Sequence, residues 1–142
     1  MKIIEFLQDE LCIYTDGASR GNPGPSGAAA LIYGKNNILI DKVSKFLGDS
    51  TNNMAEYSAL LLALNRAIDL GAKRVKIVTD SQLMARQWTG LYKVKNLSIK
   101  SIYDEAKKIA RKLEHVEVIH VGRSENIQAD RLVNEVIDHS IF

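Results

Sequence analysis

The chain holds one cysteine, Cys12, among 142 residues. No disulfide can close within it, which fits a reducing compartment such as the cytoplasm. Cys12 lies inside an apolar run and is expected as a small buried hydrophobe rather than a reactive thiol. The two prolines, Pro23 and Pro25, fall in one short stretch, and no linker, repeat or low-complexity tract interrupts the chain. Long apolar runs are missing: none approaches the ~20 residues of a membrane span. The stretch from Met1 to Glu10 is too acidic and too poor in apolar side chains for a signal peptide. An excess of one charge is missing too, since 19 Lys and Arg meet 17 Asp and Glu for a net +2. That balance permits a nucleic-acid partner without arguing for one. What remains is an ordinary globular composition, 46% hydrophobic, enough for a buried core in a single domain over residues 1–142.

Turn-formers and hydrophobic periodicity divide the chain. Leu11 to Thr15 reads as a first strand. The cluster Gly21-Asn22-Pro23-Gly24-Pro25-Ser26-Gly27 reads as a loop, because prolines and glycines hold a ladder poorly. Ala28 to Tyr33 and Ile38 to Phe46 are strands, and Gly34 to Asn37 suits a hairpin between them. Ser50 or Thr51 can cap a helix that runs to about Leu70, where Gly71 ends it. Val75 to Thr79 is a short buried strand, followed by a helix from about Ser81 to Trp88 and a break at Thr89-Gly90. Ile99 to Leu113 is amphipathic, with Ile102, Ala106, Ile109, Ala110 and Leu113 on one side and Lys100, Lys107, Lys108 and Arg111 on the other. Val116 to Val121 and Ile127 to Asp138 are the last strand and helix. A meander followed by α/β alternation implies a mixed sheet with helices on its faces.

Acidic residues stand out in four segments: Asp16, Glu56, Asp80 and Asp130. Asp16 and Asp80 each follow an apolar run, so each is expected at a strand's carboxyl end, where open α/β sheets bind ligands. Glu56 shares a helical stripe with Leu60, Ala63, Leu64 and Ala67, whereas Ser58, Asn65 and Asp69 point away. Glu56 is therefore expected to face the sheet. Inward carboxylates need partners, and clustered ones repel one another. Hard divalent cations with oxygen ligands resolve that conflict best. Taken alone, Asp80 could be a cap for the next helix and Asp130 an ordinary first-turn acid. Jointly they point to a metal site.

Around these acids the chain resembles the type 1 ribonuclease H family over nearly its whole length. The resemblance rests on Thr15-Asp16-Gly17-Ala18, Arg20 to Gly27, Thr51-Asn52-Asn53-Met54-Ala55-Glu56, Thr79-Asp80-Ser81-Gln82, Tyr92-Lys93-Val94-Lys95-Asn96 and Glu125-Asn126-Ile127-Gln128-Ala129-Asp130. It implies a ribonuclease H-like fold, a five-stranded mixed sheet in the order 3-2-1-4-5 flanked by helices. It also implies an endonuclease that cuts the RNA strand of RNA/DNA hybrids, leaving 5′-phosphate and 3′-hydroxyl ends. Two ions, Mg²⁺ or Mn²⁺, roughly 3.5–4 Å apart when substrate is bound, would activate water and stabilise the leaving oxygen. Asp16 would bridge them, Glu56 and Asp80 would hold one, and Asp130 the other.

Recognition is expected from neutral hydrogen-bonding groups. The hybrid displays 2′-hydroxyls in an open minor groove, and Asn and Gln can both donate to and accept from them. Asn22, Asn52, Asn53 and Gln82 match family positions that contact substrate, and Gly17 and Ser19 can bring backbone groups to the RNA. Helix capping is the competing role for Asn52 and Asn53. The chain also departs from the family. Only Trp88 to Asn96 fills the space of the basic protrusion found in better-known members, leaving Lys93 and Lys95 as phosphate contacts. The loop Gly122-Arg123-Ser124-Glu125-Asn126 lacks the family's histidine. Arg123 can hold a phosphate there but cannot shuttle protons near neutral pH. His120 is expected packed or satisfied within its strand, with His115 and His139 on the surface. An inactive hybrid-binding module and another metal-dependent nuclease of the same superfamily are the alternative readings. A monomer with no membrane association is the expected state.

Overall fold

The computed structural model describes residues 9–141, so most of the N-terminal stretch weighed above as a signal peptide lies outside the described residues. Five strands, β1 (Glu10–Ser19), β2 (Gly24–Tyr33), β3 (Leu39–Ser50), β4 (Arg74–Thr79) and β5 (His115–His120), form one sheet in the order β3-β2-β1-β4-β5. β1 to β3 make an antiparallel meander, and β4 and β5 add in parallel to β1. Among the described residues there are four α-helices, α1 (Asn52–Asp69), α2 (Gln82–Trp88), α3 (Leu97–Ala110) and α4 (Ile127–Ile141). The sheet order is the one the resemblance implies. Among the described residues, no helix is long and apolar enough to cross a membrane.

Alternation along β1 assigns the two faces. Leu11 and Ile13 join Ile32, Leu60, Leu64, Ile77 and Trp88 in the larger core, which lies under α1, α2 and α3. Ala18 belongs to the opposite face, where Val133 and Ile137 of α4 pack on Ala29. The stripe predicted for α1 is the buried one, since Leu60, Ala63, Leu64 and Ala67 are all fully covered. Cys12 is only half-buried, contrary to its expected place in the core. It alternates with Leu11 and Ile13, so it belongs to the less covered face.

Several boundaries differ from those read in the sequence. The Gly/Pro cluster is not all loop: β2 begins at Gly24 and contains Pro25, paired with Asp49 of β3. Pairing with β1 begins only at Ser26, opposite Ser19, so Pro25 occupies an end position where a missing donor is tolerated. β1 and β3 also extend beyond the expected runs, to Ser19 and Ser50, because each keeps pairing with β2. Thr51 caps α1 by accepting from the Met54 N–H at 3.2 Å, and Gly71, with φ of 79°, follows its end. Asn96 caps α3 by accepting from the Ile99 N–H at 3.1 Å, starting that helix two residues early at Leu97. Lys107 does not lie on the solvated side of α3. Its ammonium sits 3.7 Å from the centre of the Trp88 ring and donates to the Trp88 carbonyl at 2.8 Å, an arrangement in which desolvation lowers its pKa.

The tightest approach between the layers is at Gly17. A Cβ there would lie 2.2 Å from the carbonyl carbon of Ala55 and 2.4 Å from the amide nitrogen of Glu56. Both are backbone atoms of α1, which cannot swing aside as a side chain could. Gly17→Ala must therefore push α1 off the sheet. Urea unfolding is expected to show a loss of at least about 1–3 kcal/mol, the usual scale for overpacking.

Candidate active site

Asp16 lies inside β1, three residues short of the strand's carboxyl end at which the sequence places it. The parallel pairing of β1 with β4 stops at Tyr14 and Val78, while the antiparallel pairing with β2 continues through Asp16 and Ala29 to Ser19 and Ser26. Asp16 therefore occupies a strand that has outrun its parallel neighbour. Asp80 follows the last residue of β4 directly. It does not cap α2, because the Ser81 hydroxyl accepts from the Met84 N–H at 3.2 Å and the Thr79 hydroxyl accepts from the Ser81 N–H at 3.0 Å. Glu56 stands on α1, and its Oε1 accepts from the Gly17 N–H at 2.9 Å, which confirms its sheet-facing orientation. Carboxylate oxygens of Asp16, Glu56 and Asp80 all lie within 4.8 Å of one another. Asp130, in the first turn of α4, stands outside that trio and next to Asp16, close enough to share a hydrogen bond with it.

Burial and crowding act together on these groups. The Asp16 carboxyl is pushed up to about 8, first by desolvation and then by the charges of Asp80 and Asp130, with the Gly17 N–H pulling the other way. Glu56 is raised well above the carboxylate range by burial and by the Asp16 and Asp80 charges. Asp80 is raised by burial, and Arg123 opposes the shift. The same guanidinium pulls against the rise at Glu56. An all-carboxylate donor set with mutual repulsion fits a hard divalent cation such as Mg²⁺ or Mn²⁺, and does not fit metals that prefer thiolate or imidazole.

The other residues singled out in the sequence divide by what their groups already do. Asn22 Oδ1 accepts from the Asn52 N–H at 3.0 Å, and Asn52 Oδ1 accepts from the Ser19 N–H at 2.9 Å. Neither Asn52 nor Asn53 caps α1, because Thr51 does. Asn22 and Asn52 thus brace the turn after β1 with their side-chain carbonyls, and both residues are exposed. The Ser19 hydroxyl is likewise turned inward, to Gly21 and Ser50 carbonyls. Asn53, Gln82, Lys93, Lys95 and Arg123 are exposed. So is His120, which corrects its reading as a packed residue: it pairs at the open end of β5 opposite Thr79 and its charge acts on Asp80.

Asn126, within the Glu125-to-Asp130 segment, has a role that its residue pattern does not signal. It is fully buried, and its Nδ2 donates to the Thr15 carbonyl at 2.9 Å, immediately before Asp16. Its own carbonyl accepts from the Asp130 N–H at 3.1 Å. It joins the backbones that carry two of the acids. The sequence signal was slight: an Asn at the start of the last helix reads as a cap.

Comparison with known proteins agrees with this geometry. Residues 14–136 match the family described as reverse transcriptase-like. A bifunctional protein of Mycobacterium tuberculosis is 36% identical over 91% of this chain, which spans only 36% of that protein's length. A ribonuclease H of Paramagnetospirillum magneticum is 38% identical, with 88% of each chain covered. Among solved structures, LC11-RNase H1 in complex with an RNA/DNA hybrid superposes with a TM-score of 0.89 at 36% identity, over 93% of this chain and 99% of that one. The chain belongs to the type 1 ribonuclease H family.

The raised acids carry a stability consequence in the absence of metal. A carboxyl held at about 8 in the folded state, against 3.8 as its ordinary value, binds its proton more tightly folded than unfolded. Its contribution is then favourable at low pH and declines as pH rises between those two values. Asp16→Asn removes that dependence. In EDTA the variant is expected to match wild type near pH 4 and exceed it near pH 8, by about 0.5–2 kcal/mol. Thermal or urea unfolding at the two pH values checks it, and equal stability at pH 8 would refute it.

Proposed function

We propose that this protein hydrolyses the RNA strand of RNA/DNA hybrids by a two-metal-ion mechanism, leaving 5′-phosphate and 3′-hydroxyl ends. The observation that carries the reading is the meeting of Asp16, Glu56 and Asp80 within 4.8 Å, with Asp130 against Asp16. The hybrid-bound relative of the same fold supports the substrate. Mg²⁺ or Mn²⁺ bound there supplies charge neutralisation for an anionic phosphodiester and acidifies the attacking water.

The chain's own groups do the rest. Asp16 would be shared between the two ions, with Glu56 and Asp80 holding one and Asp130 the other. The raised proton affinity of Asp16, Glu56 and Asp80 means that these groups must ionise as metal enters, so binding releases protons and strengthens with pH. Gly17 keeps the Glu56 carboxylate aimed through its N–H bond. Exposed Arg123, whose charge already reaches Glu56 and Asp80, holds the scissile phosphate without taking part in proton transfer. Asn53 and Gln82, with the exposed Asn22 and Asn52, meet 2′-hydroxyls and base edges in the minor groove. Lys93 and Lys95 take phosphates farther along the duplex. The protein acts as a monomer in this reading.

Parallel assays on RNA/DNA hybrid, duplex DNA and duplex RNA, with and without Mg²⁺, test it. Metal-dependent cleavage confined to the RNA of the hybrid is expected, whereas equal cleavage of duplex DNA would overturn the substrate. Asp16→Asn is expected to lose at least ~100-fold in turnover, the scale for removing a key electrostatic partner of the transition state, while still binding hybrid in a gel-shift assay. Lys93→Ala with Lys95→Ala is expected to raise KM more than it lowers kcat, because such contacts serve ground and transition states alike. The same double variant should flatten the salt dependence of binding by roughly 1–2 in log–log slope; an unchanged slope would move the phosphate contacts elsewhere.

A further inference from the structure

Helix α4 carries Asp130 in its first turn, yet it rests on very small side chains. Val133 and Ile137 pack on Ala29 with Ala18 beside them, and a Cβ on Gly27 would already come within 2.9 Å of Val136 and 3.0 Å of Ile137. A surface of Ala and Gly lets the helix come close but offers few ridges to fix its position along its own axis. Polar contacts supply that stop. Arg20, in the turn between β1 and β2, pairs through one guanidinium nitrogen with Asp138. Its other terminal nitrogen donates to Asn134 Oδ1 at 3.1 Å and to the Asn134 carbonyl at 3.3 Å. Asn134 in turn donates from Nδ2 to the carbonyl of Asp130 at 2.9 Å. Asp130, Asn134 and Asp138 recur at four-residue spacing, so they share one stripe of α4.

The same turn is fastened on its other side. Asn22 and Asn52 bind it to the start of α1, four residues before Glu56, through bonds of 3.0 and 2.9 Å. One short connection therefore joins the helix that bears Glu56 to the helix that bears Asp130. Without it, Asp130 would be held against Asp16 mainly by Asn126, the residue just before the helix.

We propose that Arg20 is a positioning residue that sets the axial seat of α4 and so brings Asp130 against Asp16 for metal binding. The inference rests on the reading of Asp130 as a metal ligand. Arg20 acts through the Asp138–Asn134–Asp130 stripe and not on substrate. Lysine can meet Asp138 but cannot fork to Asn134 as well, so Arg20→Lys should restore only part of the effect.

Mn²⁺ binding to the free protein, followed by electron paramagnetic resonance, is the decisive measurement, with the thermal midpoint in EDTA and the Mg²⁺ dependence of hybrid cleavage alongside. Arg20→Ala is expected to weaken Mn²⁺ binding by about tenfold, on the scale of outer-shell partners of metal ligands. Cleavage should recover at high Mg²⁺ with KM for hybrid unchanged, and Arg20→Lys should fall between. Wild-type Mn²⁺ affinity in Arg20→Ala, even with a lower thermal midpoint, would make the residue merely structural and overturn the proposal. A raised KM at unchanged metal affinity would overturn it too, in favour of a direct phosphate contact. Should Arg20→Ala fail to fold, Asp138→Asn replaces it, with a smaller loss of Mn²⁺ affinity expected and no loss refuting the idea. Asp130→Asn separates the two levels: if it binds Mn²⁺ as wild type does, the ligand reading of Asp130 fails and the role of Arg20 falls with it.

Discussion

The backbones of β1 and α1 touch at Gly17, and the acid cluster depends on that contact. A residue with any side chain would hold α1 off the sheet, and Glu56 would then lie too far out to join Asp16 and Asp80. The same close approach lets the Gly17 N–H reach the Glu56 carboxylate, so one atom's absence both admits the acid and orients it. The tight helix–sheet packing below, through Ala63, Leu64 and Ala67, follows from the same spacing. The core is thus shaped by a demand made at the site.

That demand carries an electrostatic cost. Desolvation and mutual repulsion push three of the four acids toward their protonated forms, and the folded scaffold has to hold them in place against it. Around Asp16, Glu56 and Asp80 it does so with hydrogen bonds to backbone groups, the Arg20–Asp138 ion pair acting only at a distance through α4. Asn126 ties the Thr15 carbonyl to the α4 start, Thr79 and Ser81 fix the turn around Asp80, and the Asn22–Asn52–Ser19 chain fixes the turn beyond Asp16. Neutral braces add no countercharge, which is what the proposed binding of a divalent cation would require.

Most of this was readable in the sequence where a local signal existed. The Thr51 and Gly71 ends of α1, the inward stripe that places Glu56, and the strands leading to Asp16 and Asp80 all followed from periodicity and turn chemistry. The strand order came through family resemblance, because nothing local in the residues specifies which strands are neighbours. The misses have a common cause in tertiary pairing. β1 continues past Asp16 because β2 keeps it company, and Pro25 enters a strand because β1 has not yet begun to pair there. The capping roles weighed against Asp80 and Asn52 fall away, because the adjacent hydroxyls of Ser81 and Thr51 do that work. Asn126 and Arg20 were invisible as positioning groups, since their partners lie 111 and at least 114 residues away in the chain.

Lys107 illustrates how the amphipathic pattern of α3 overstates what a polyanion would meet. Counted along the helix, its basic stripe presents an array of cations, but Lys107 is turned under Trp88 and Lys100 is matched by Asp104 at 2.6 Å. Arg66 and Arg74, elsewhere on the molecule, are matched by Asp41 and by Glu10 and Glu114. Within a Debye length such a surface is a patchwork, with some cations paired to acids or turned inward and others left exposed. On the proposed reading, long-range capture by such a surface would be weak, and recognition would fall to short-range groups around the acid cluster that act only after the duplex has arrived.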